Sequence, residues 1–292
     1  RAGKSTLLNT LGLNNRFSSG QFYLFDQETK QLTGREKRLI KRNIISFLFQ
    51  DAVERQMKGT APFCTFLSGG VDSSLVSAIC AKILQKKGER LTTFSFDFSE
   101  NSRYFQSNAF QPSLDRPYVD QMVSFLDSDH HYLECSQENL AEKLTDSVIA
   151  HDLPAMADVD SSMLYFCSLV RQTHTIAMTG ECADEIFGGY PWFHKTECLY
   201  ADTFPWSMDL RPRQALLRDD FLESLHMEAY IKHAYESSVA QAPLSPDDSD
   251  LIVRQKRIAW LNISWFMQTL LNRMDRAVAY SDLDARIPFA DR

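Results

Sequence analysis

The stretch of sequence that decides the fold is the heptapeptide Ser68-Gly69-Gly70-Val71-Asp72-Ser73-Ser74. It lies between an apolar run, Phe63–Leu67, which predicts a buried strand, and a helical pattern over Ser73–Leu84. Two adjacent glycines let the backbone approach an anion, and the helix that follows points the positive end of its dipole at the same place. Because Asp72 would repel phosphates unless a cation lay between them, the turn predicts a site for pyrophosphate with Mg²⁺.

Short apolar runs and helical patterns alternate along the chain after this turn. Further strands are predicted at Leu91–Phe96, His131–Glu134 and Thr175–Met178. This alternation is typical of an α/β fold in which a parallel sheet has helices on both faces. Beyond Tyr190 the strand signal fades and helical stretches follow, which predicts a helical C-terminal layer. The predicted helices are Ser73–Leu84, Arg116–Leu126, Glu138–Ala150, Ser161–Gln172, Gln214–Leu225, His226–Val239 and Leu251–Asn272.

A second glycine-flanked turn follows the strand predicted at Thr175–Met178. Its acids Glu181, Asp184 and Glu185 are spaced i, i+3 and i+4, which predicts that they share one helical face. Three such acids repel one another unless they meet water, a cation or an amine. Because ligands of parallel sheets bind beyond the carboxyl ends of the strands, we expect these acids to share one site with the Ser68 turn. The full turn reads Thr179-Gly180-Glu181-Cys182-Ala183-Asp184-Glu185-Ile186-Phe187-Gly188-Gly189-Tyr190.

A third segment carries charges of both signs and runs over Asn272–Tyr280 and then Asp284–Asp291. Pro288 interrupts the helical pattern there. Taken alone, this segment is typical of a solvated helix end and predicts no function.

Composition narrows the classes of function. The 292 residues include 31 Lys and Arg against 38 Asp and Glu, so the formal net charge is −7. An acidic balance argues against a nucleic-acid partner, which needs a basic face. No apolar run approaches the ~20 residues of a membrane helix, so no membrane partner is expected. The six cysteines show no CxxC spacing, so a zinc cluster is not expected, and reduced thiols in a cytoplasmic protein are the simplest interpretation.

Taken together, the three segments resemble the C-terminal synthetase domain of the asparagine synthetases. That family belongs to the PP-loop group of ATP pyrophosphatases, so the resemblance implies an adenine-nucleotide-hydrolase-like fold. The family pattern runs from DAV through a strand, SGGxDSS and SGEGADExFGGY to D(K/R) and ExRxPFxD. Here it begins at Asp51 and continues through both turns to Asp275–Asp291, in the family order. The resemblance covers residues 51–292.

The resemblance implies an ATP-dependent, amide-forming ligase. In the family, ATP activates the side-chain carboxylate of aspartate as an acyl-adenylate, pyrophosphate leaves, and ammonia then gives asparagine and AMP. By position in the motifs, Glu181 would be the base toward ammonium and Arg276 would face the α-phosphate. Asp72 and Asp184 would hold Mg²⁺, and Asp184 would belong to the catalytic set. The residues implied to bind ATP are Leu67, Ser68, Gly69, Gly70, Asp72, Ser73, Ser74, Phe94, Ser95, Thr179 and Gly180.

Three residues depart from the family pattern: Thr179 replaces Ser, Cys182 replaces Gly, and Asp284 replaces Glu. A cysteine at position 182 is expected to need a backbone that avoids positive φ. Nothing before Asp51 resembles the glutaminase half of the family, so a separate glutaminase is an expected partner. The expected substrates are aspartate, ATP and ammonia, and a homodimer is the expected assembly. A PP-loop relative that acts on another carboxylate, as β-lactam synthetase-like enzymes do, stays an alternative.

Residues 1–50 resemble a different family. Gly3-Lys4-Ser5-Thr6 matches the second half of a Walker A loop, and the sequence continues like an ABC-transporter ATPase to a Q-loop glutamine, Gln50. The first Walker glycine, the Walker B acids and the ABC signature are missing. We therefore expect a truncated fragment over residues 1–50 and a C-terminally truncated synthetase domain over residues 51–292. The alternative is an ABC ATP-binding fragment fused to an inactive synthetase domain.

Overall fold

The computed structural model describes residues 23–24, 27–28, 33–59, 61–108, 111–154 and 156–291. The chain divides into two compact units, Arg1–Lys58 and Gly59–Arg292. In the first unit, strand β1 (Tyr23–Leu24) pairs antiparallel with strand β2 (Gln27–Glu28).

A long helix, α1 (Gly34–Gln56), ends the first unit. It begins at a capping box, in which the amide of Glu36 donates to Thr33 Oγ1 over 3.3 Å and the amide of Thr33 donates to Glu36 Oε2 over 2.7 Å. The helix passes without a break through the boundary predicted at residue 50. On its exposed face there, Arg55 Nε donates to Asp51 Oδ2 over 2.9 Å, one helical turn apart.

The nucleotide-binding loop suggested by residues 3–6, with Lys4, lies outside the described residues. The interpretation of residues 1–50 as an ABC-ATPase fragment therefore stays a prediction.

The second unit is built on a five-stranded parallel sheet in the order β5-β4-β3-β6-β7. Strand β7 was not predicted, because its sequence Asp284-Ala285-Arg286 offers no run of apolar or β-branched residues. The strands are β3 (Phe63–Phe66), β4 (Thr92–Phe98), β5 (Asp129–Cys135), β6 (Ile176–Met178) and β7 (Asp284–Arg286).

Helices connect these strands and continue beyond them. The helix predicted at Arg116–Leu126 has those bounds, whereas the one predicted at Glu138–Ala150 is two helices that meet at Lys143. The helices are α2 (Val71–Gln85), α3 (Asn101–Tyr104), α4 (Arg116–Leu126), α5 (Gln137–Glu142), α6 (Leu144–His151), α7 (Ala157–Arg171), α8 (Ala183–Phe187), α9 (Thr196–Leu199), α10 (Arg211–Gln214), α11 (Asp219–Leu225), α12 (Met227–Val239), α13 (Asp250–Leu261) and α14 (Met267–Tyr280), with single 3₁₀ turns at Pro191–Phe193 and Pro288–Ala290.

Both faces of the sheet are covered by helices. Cys64 and Ala177 are neighbours in register and belong to a buried cluster with Cys167 of α7 and Met274 of α14. The next residue of β3, Thr65, points to the opposite face, where its hydroxyl lies 2.7 Å from the hydroxyl of Ser77 on α2. The α/β fold with a parallel sheet and helices on both faces is thus confirmed.

The C-terminal layer is helical, as expected, but the single helix predicted over Leu251–Asn272 is interrupted. A π-helical turn at Asn262–Phe266 separates α13 from α14. The side chain of Asn262 is fully buried there, and it accepts from Trp192 Nε1 over 3.3 Å and donates to the carbonyl of Ile258 over 2.9 Å. A buried amide needs such partners, and π turns of this kind often lie near functional sites. Within the described ranges, none of the helices combines the length and apolar character needed to cross a membrane.

Candidate active site

The two glycine turns leave neighbouring strands at the carboxyl edge of the sheet. From β3 the chain crosses to β4 on one side, while β6 lies on the other side of β3. This reversal is the position at which open α/β sheets bind ligands. Each turn first extends its strand by one hydrogen bond, since the amide of Leu67 donates to the carbonyl of Phe94 over 2.8 Å and the amide of Thr179 donates to the carbonyl of Arg286 over 3.0 Å.

The Ser68 turn is held in shape by its own hydroxyl groups. The hydroxyls of Ser68 and Ser73 lie 2.9 Å apart, and the amide of Ser68 donates to Ser73 Oγ over 3.1 Å. Gly70 caps α2 without a side chain, so no capping side chain bonds to the first amides of the helix. Gly69 has φ +79°, and a Cβ there would lie 2.8 Å from the amide nitrogen of Val119, so only glycine fits.

The second turn packs directly against the first. A Cβ on Gly180 would lie 2.6 Å from the amide nitrogen of Ser73 and 2.8 Å from the carbonyl carbon of Asp72, so the two backbones are in contact. A Cβ on Gly189 would overlap Oδ1 of Asp184. The two predicted motifs therefore share one site, and the glycines of the second turn are what allow the close approach.

Glu181 is a largely buried acid that forms an ion pair with an arginine of this site. Its Oε1 accepts from Arg273 Nη2 over 3.4 Å, whereas its Oε2 is buried and has no hydrogen bond within the described structure. Burial raises the pKa of Glu181 to about 6, and the Arg273 guanidinium works against that rise. A carboxylate with a pKa near neutrality and a free oxygen can accept a proton from a bound ligand.

A second buried acid, Glu185, is held by the aromatic residues that follow it, Tyr190 and Trp192. The hydroxyl of Tyr190 donates to Glu185 Oε1 over 2.5 Å, and the Tyr190 ring stacks on Trp192 with centroids 4.4 Å apart. Burial raises the pKa of Glu185, and the tyrosine hydrogen bond opposes that rise. Tyr190, whose ring is fixed by stacking on Trp192, thus positions an acid of the site through one hydrogen bond.

Asp72 and Asp184 contribute the remaining carboxylates of the two turns. Burial raises the pKa of both, and the charge of Asp184 raises that of Asp72 further, so the two groups repel each other. Among the residues that the structure describes, no three or more His, Cys, Asp or Glu are arranged to hold a metal ion. Two carboxylates still fit Mg²⁺, because this ion is usually bound by one or two carboxylates plus phosphate oxygens and water.

Cys182 adopts φ +72°, so the expectation that position 182 avoids positive φ was wrong. The residue precedes α8, and its left-handed backbone turns the chain from Glu181 into that helix. A side chain in this conformation costs roughly 1–2 kcal/mol. Burial raises the pKa of its thiol to about 12, so the thiol stays protonated at neutral pH.

On β4, the residues on either side of Phe94 are hydrogen-bonded to the neighbouring strand β5. Ser95 Oγ lies 3.0 Å from His130 Nε2, and Thr93 Oγ1 lies 2.7 Å from His130 Nδ1. Burial lowers the pKa of His130 to about 4, so the ring is neutral at physiological pH. Its two nitrogens therefore serve one donor and one acceptor role, and the imidazole orients both hydroxyls.

A cavity of about 690 Å³ lies over the two turns. Of the site residues predicted from sequence, eleven line it, and three do not. Gly69 packs against α4, and the buried hydroxyl of Ser74 has no hydrogen-bond partner in the described part of the chain. Arg276 is exposed, with Nη1 3.3 Å from Asp152 Oδ2, so it does not face the cavity in this structure. The eleven are Leu67, Ser68, Gly70, Asp72, Ser73, Phe94, Ser95, Thr179, Gly180, Glu181 and Asp184.

Sequence reasoning missed Arg273, which lines the cavity one helical turn before Arg276. A signal was present, because Leu270, Arg273, Met274 and Ala277 recur at helical spacing and the last two are buried in the core. Met163 and Phe166 of α7 also line the cavity. They were not predicted, since their helix carries no motif.

The fold and the two joined turns define a PP-loop type of α/β domain. The family described as asparagine synthase has a model that matches residues 45–292. This chain therefore belongs to the asparagine synthase family, which confirms the resemblance stated for residues 51–292.

Relatives named as asparagine synthetases are also similar to this chain. Asparagine synthetase [glutamine-hydrolyzing] 3 of Bacillus subtilis (strain 168) is 43% identical over 245 residues, which are 84% of this chain and 40% of the relative. A putative asparagine synthetase [glutamine-hydrolyzing] 2 of Methanocaldococcus jannaschii is 28% identical over 144 residues, 49% of this chain and 25% of that protein. The asparagine synthetase [glutamine-hydrolyzing] of Asparagus officinalis is 28% identical over 153 residues, 50% of this chain and 24% of the relative. The matches thus span at most 40% of the length of these relatives.

Proposed function

We propose that this chain is the synthetase part of an ATP-dependent, amide-forming ligase of the asparagine synthase type. An oxygen of the aspartate side-chain carboxylate attacks the α-phosphorus of ATP, and the bond to pyrophosphate breaks. Ammonia then attacks the acyl carbon of the adenylate, AMP leaves, and the amide of asparagine forms. Membership of the family and the printed names of the relatives support this reaction class.

The observation that carries the proposal is the backbone contact between Gly180 and Ser73. This contact joins a turn that suits phosphate to a turn that suits an amine or a proton, within one cavity. An acyl group activated on a nucleotide and an attacking amine would therefore meet without diffusing between sites. Glu181, with its free buried Oε2 and its pKa of about 6, suits the base that takes one proton from the nitrogen as it attacks.

The residues of the Ser68 turn and of β4 suit the nucleotide. The hydroxyls of Ser68 and Ser73 and the first amides of α2 would donate to phosphate oxygens. Asp72 and Asp184 would hold Mg²⁺, which when bound would neutralise charge on the phosphates and on the leaving pyrophosphate. The β4 segment that contains Ser95 would lie against the adenine of ATP. Arg276, which pairs with Asp152 here, would need another rotamer to reach a phosphate.

Exchange of pyrophosphate into ATP, measured with a panel of carboxylic acids, tests the first step. We expect exchange that requires both L-aspartate and Mg²⁺, and asparagine formation when ammonium is added. Exchange with a different acid but not with aspartate would indicate a relative that activates another carboxylate. Absence of exchange with every acid would overturn the ligase proposal.

The source of ammonia and the compartment complete the proposal. The relatives are named as glutamine-hydrolysing, so we propose that a glutaminase outside residues 51–292 supplies ammonia to this domain. All six cysteines are unpaired and buried, which supports a reducing, cytoplasmic environment. A homodimer stays a prediction.

Residues 1–50 are not part of the proposed ligase. Support comes from the family match, which begins at residue 45, and from the compact unit that begins at Gly59. Removal of residues 1–32, which keeps the Thr33 cap and α1, is expected to leave ATP binding unchanged in a calorimetric titration. Loss of ATP binding would show that the removed segment contributes to the nucleotide site.

A further inference from the structure

The cavity wall is strongly acidic, although its proposed substrate is an anion. Of the described residues that line it, seven are carboxylates and two are arginines, Arg116 and Arg273. A substrate carboxylate that enters such a cavity is repelled unless a cation faces it. The seven acids are Asp72, Asp97, Asp115, Glu134, Glu181, Asp184 and Glu185.

Arg116 is already engaged at the edge of the cavity. Its guanidinium carbon lies 3.3 Å from the centre of the Tyr132 ring, and its Nε lies 3.4 Å from Asp120 Oδ1. The hydroxyl of Tyr132 is in turn hydrogen-bonded to Asp120. Arg116 is also 46% exposed, so solvent screens its charge, whereas the Arg273 side chain is 22% exposed.

Arg273 is differently placed. Among the residues that the structure describes, its guanidinium makes one long polar contact, 3.4 Å from Nη2 to Glu181 Oε1, and its buried Nε has no hydrogen-bond partner. A guanidinium has five N–H donors in a planar fork that matches a carboxylate. The free Oε2 of Glu181 is also buried beside it. Both residues line the cavity, and within the described structure the pair keeps an unused donor and an unused acceptor. It is therefore a complement to an amino acid rather than a finished ion pair.

We propose that Arg273 binds the carboxylate of the acid substrate that does not react, and that it thereby selects an acid with two carboxylates. This inference rests on the proposed function. Only a methylene and the α-carbon separate the two carboxylates of aspartate, so an α-carboxylate on Arg273 leaves the side-chain carboxylate close to Glu181 and the Ser68 turn. Arg273 is then a specificity-determining residue for the acceptor acid.

The competing explanation is that Arg273 only holds Glu181 in place. In that case the loss of Arg273 would weaken the reaction of every acid by the same factor. A carboxylate anchor instead predicts a loss confined to acids that carry the second carboxylate. The comparison of L-aspartate with β-alanine separates the two, because β-alanine keeps the reacting carboxylate and the amine but lacks the α-carboxylate.

The experiment measures pyrophosphate exchange with Mg-ATP and each of these acids for the wild-type chain, Arg273→Gln, Arg273→Lys and a control, Arg90→Gln. Arg90 pairs with Asp127 and does not line the cavity. We expect the wild type to prefer aspartate, and Arg273→Gln to lower kcat/KM for aspartate about 10- to 100-fold, mostly through KM. The kcat/KM for β-alanine should not change. For aspartate, the kcat/KM of Arg273→Lys should lie between those of the wild type and Arg273→Gln, because lysine keeps the charge but loses the planar fork of donors.

Each outcome decides the inference. Equal losses for both acids in Arg273→Gln would overturn it while leaving the ligase proposal intact. If the wild type shows no exchange with aspartate and none with β-alanine, the ligase proposal and the inference are overturned together. If Arg273→Gln does not fold, as judged by its circular dichroism, Arg273→Lys decides: an unchanged preference and KM for aspartate would overturn the inference.

Discussion

The two turns that border the cavity leave neighbouring strands, yet they are built in opposite ways. The Ser68 turn is exposed, offers N–H and O–H donors, and is held by hydrogen bonds between Ser68 and Ser73. The acidic turn is largely buried and offers acceptors. It is held at Glu181 by the distant residue Arg273 and at Glu185 by Tyr190, which lies at its own C-terminal end. The first turn is a local structure, and the second depends on the rest of the unit.

This difference separates two tasks. Donors in an exposed turn suit an anion that arrives from solvent. Buried carboxylates with raised pKa suit proton transfer, since burial in low dielectric brings their pKa toward neutrality. The proposed reaction needs both tasks in sequence, first phosphate chemistry and then amine chemistry. Each variant below tests one turn without touching the other.

The largest effect is expected from Glu181→Gln. The amide is isosteric but cannot accept the proton of the attacking nitrogen, so asparagine formation should fall roughly 10²- to 10⁴-fold. Pyrophosphate exchange, which precedes that step, should be largely kept. Both rates are measured on the same preparation, so exchange serves as the control. Equal losses in both rates would argue against a base and for a role of Glu181 in binding.

Asp72→Asn should act on the other turn. Loss of the carboxylate removes a proposed partner of Mg²⁺, so exchange should fall roughly 10²- to 10³-fold, and excess Mg²⁺ should restore part of it. Asp127→Asn is the matched control, because Asp127 is exposed, pairs with Arg90 and lies away from the cavity. An exchange rate in Asp72→Asn equal to that of the control would refute the metal role.

The pH dependence should distinguish the turns in the unmodified chain. Glu181 acts as a base only when ionised, so with a pKa of about 6 its activity is present above that pH and is lost below it. Asparagine formation, corrected for the free ammonia present, should fall about tenfold for each pH unit below 6. The rate of pyrophosphate exchange should not show this fall below pH 6. If asparagine formation by Glu181→Gln still falls below pH 6, the pH dependence belongs to another group.

The smallest effect concerns the backbone of the acidic turn. Cys182→Gly removes the strain of a side chain at φ +72°, whereas Cys182→Ala keeps it. The glycine variant should therefore be the more stable of the two by about 1 kcal/mol in urea unfolding. Alanine is the proper reference, since both changes delete the buried thiol. A glycine variant less stable than the alanine variant would show that the left-handed backbone is not strained at this position.

The same contrast explains what the sequence could predict. The Ser68 turn, its strand and α2 follow from residues within a short window, so their position and shape were foreseen. The joint site was foreseen because parallel strands bring their carboxyl ends to one edge. Arg273 was not foreseen, and Arg276 was expected to face the cavity, because which of two arginines one turn apart faces a cavity depends on how α14 packs. The prediction that Cys182 avoids positive φ was wrong for the same kind of reason, since tertiary packing overrode the local preference of the residue.

Because strand β7 fixes the start of the acidic turn, we expect this turn to form late in folding. The amide of Thr179 donates to the carbonyl of Arg286, so the start of this turn is fixed by residues far along the chain. Such non-local pairing carries a large loop-closure entropy, and it forms slowly. During synthesis, β3, α2 and β4 emerge early and can assemble the Ser68 turn. A nascent chain that has not yet released β7 would therefore carry the turn suited to phosphate before its acids are anchored, and the capacity to bind a nucleotide would precede the capacity to use it.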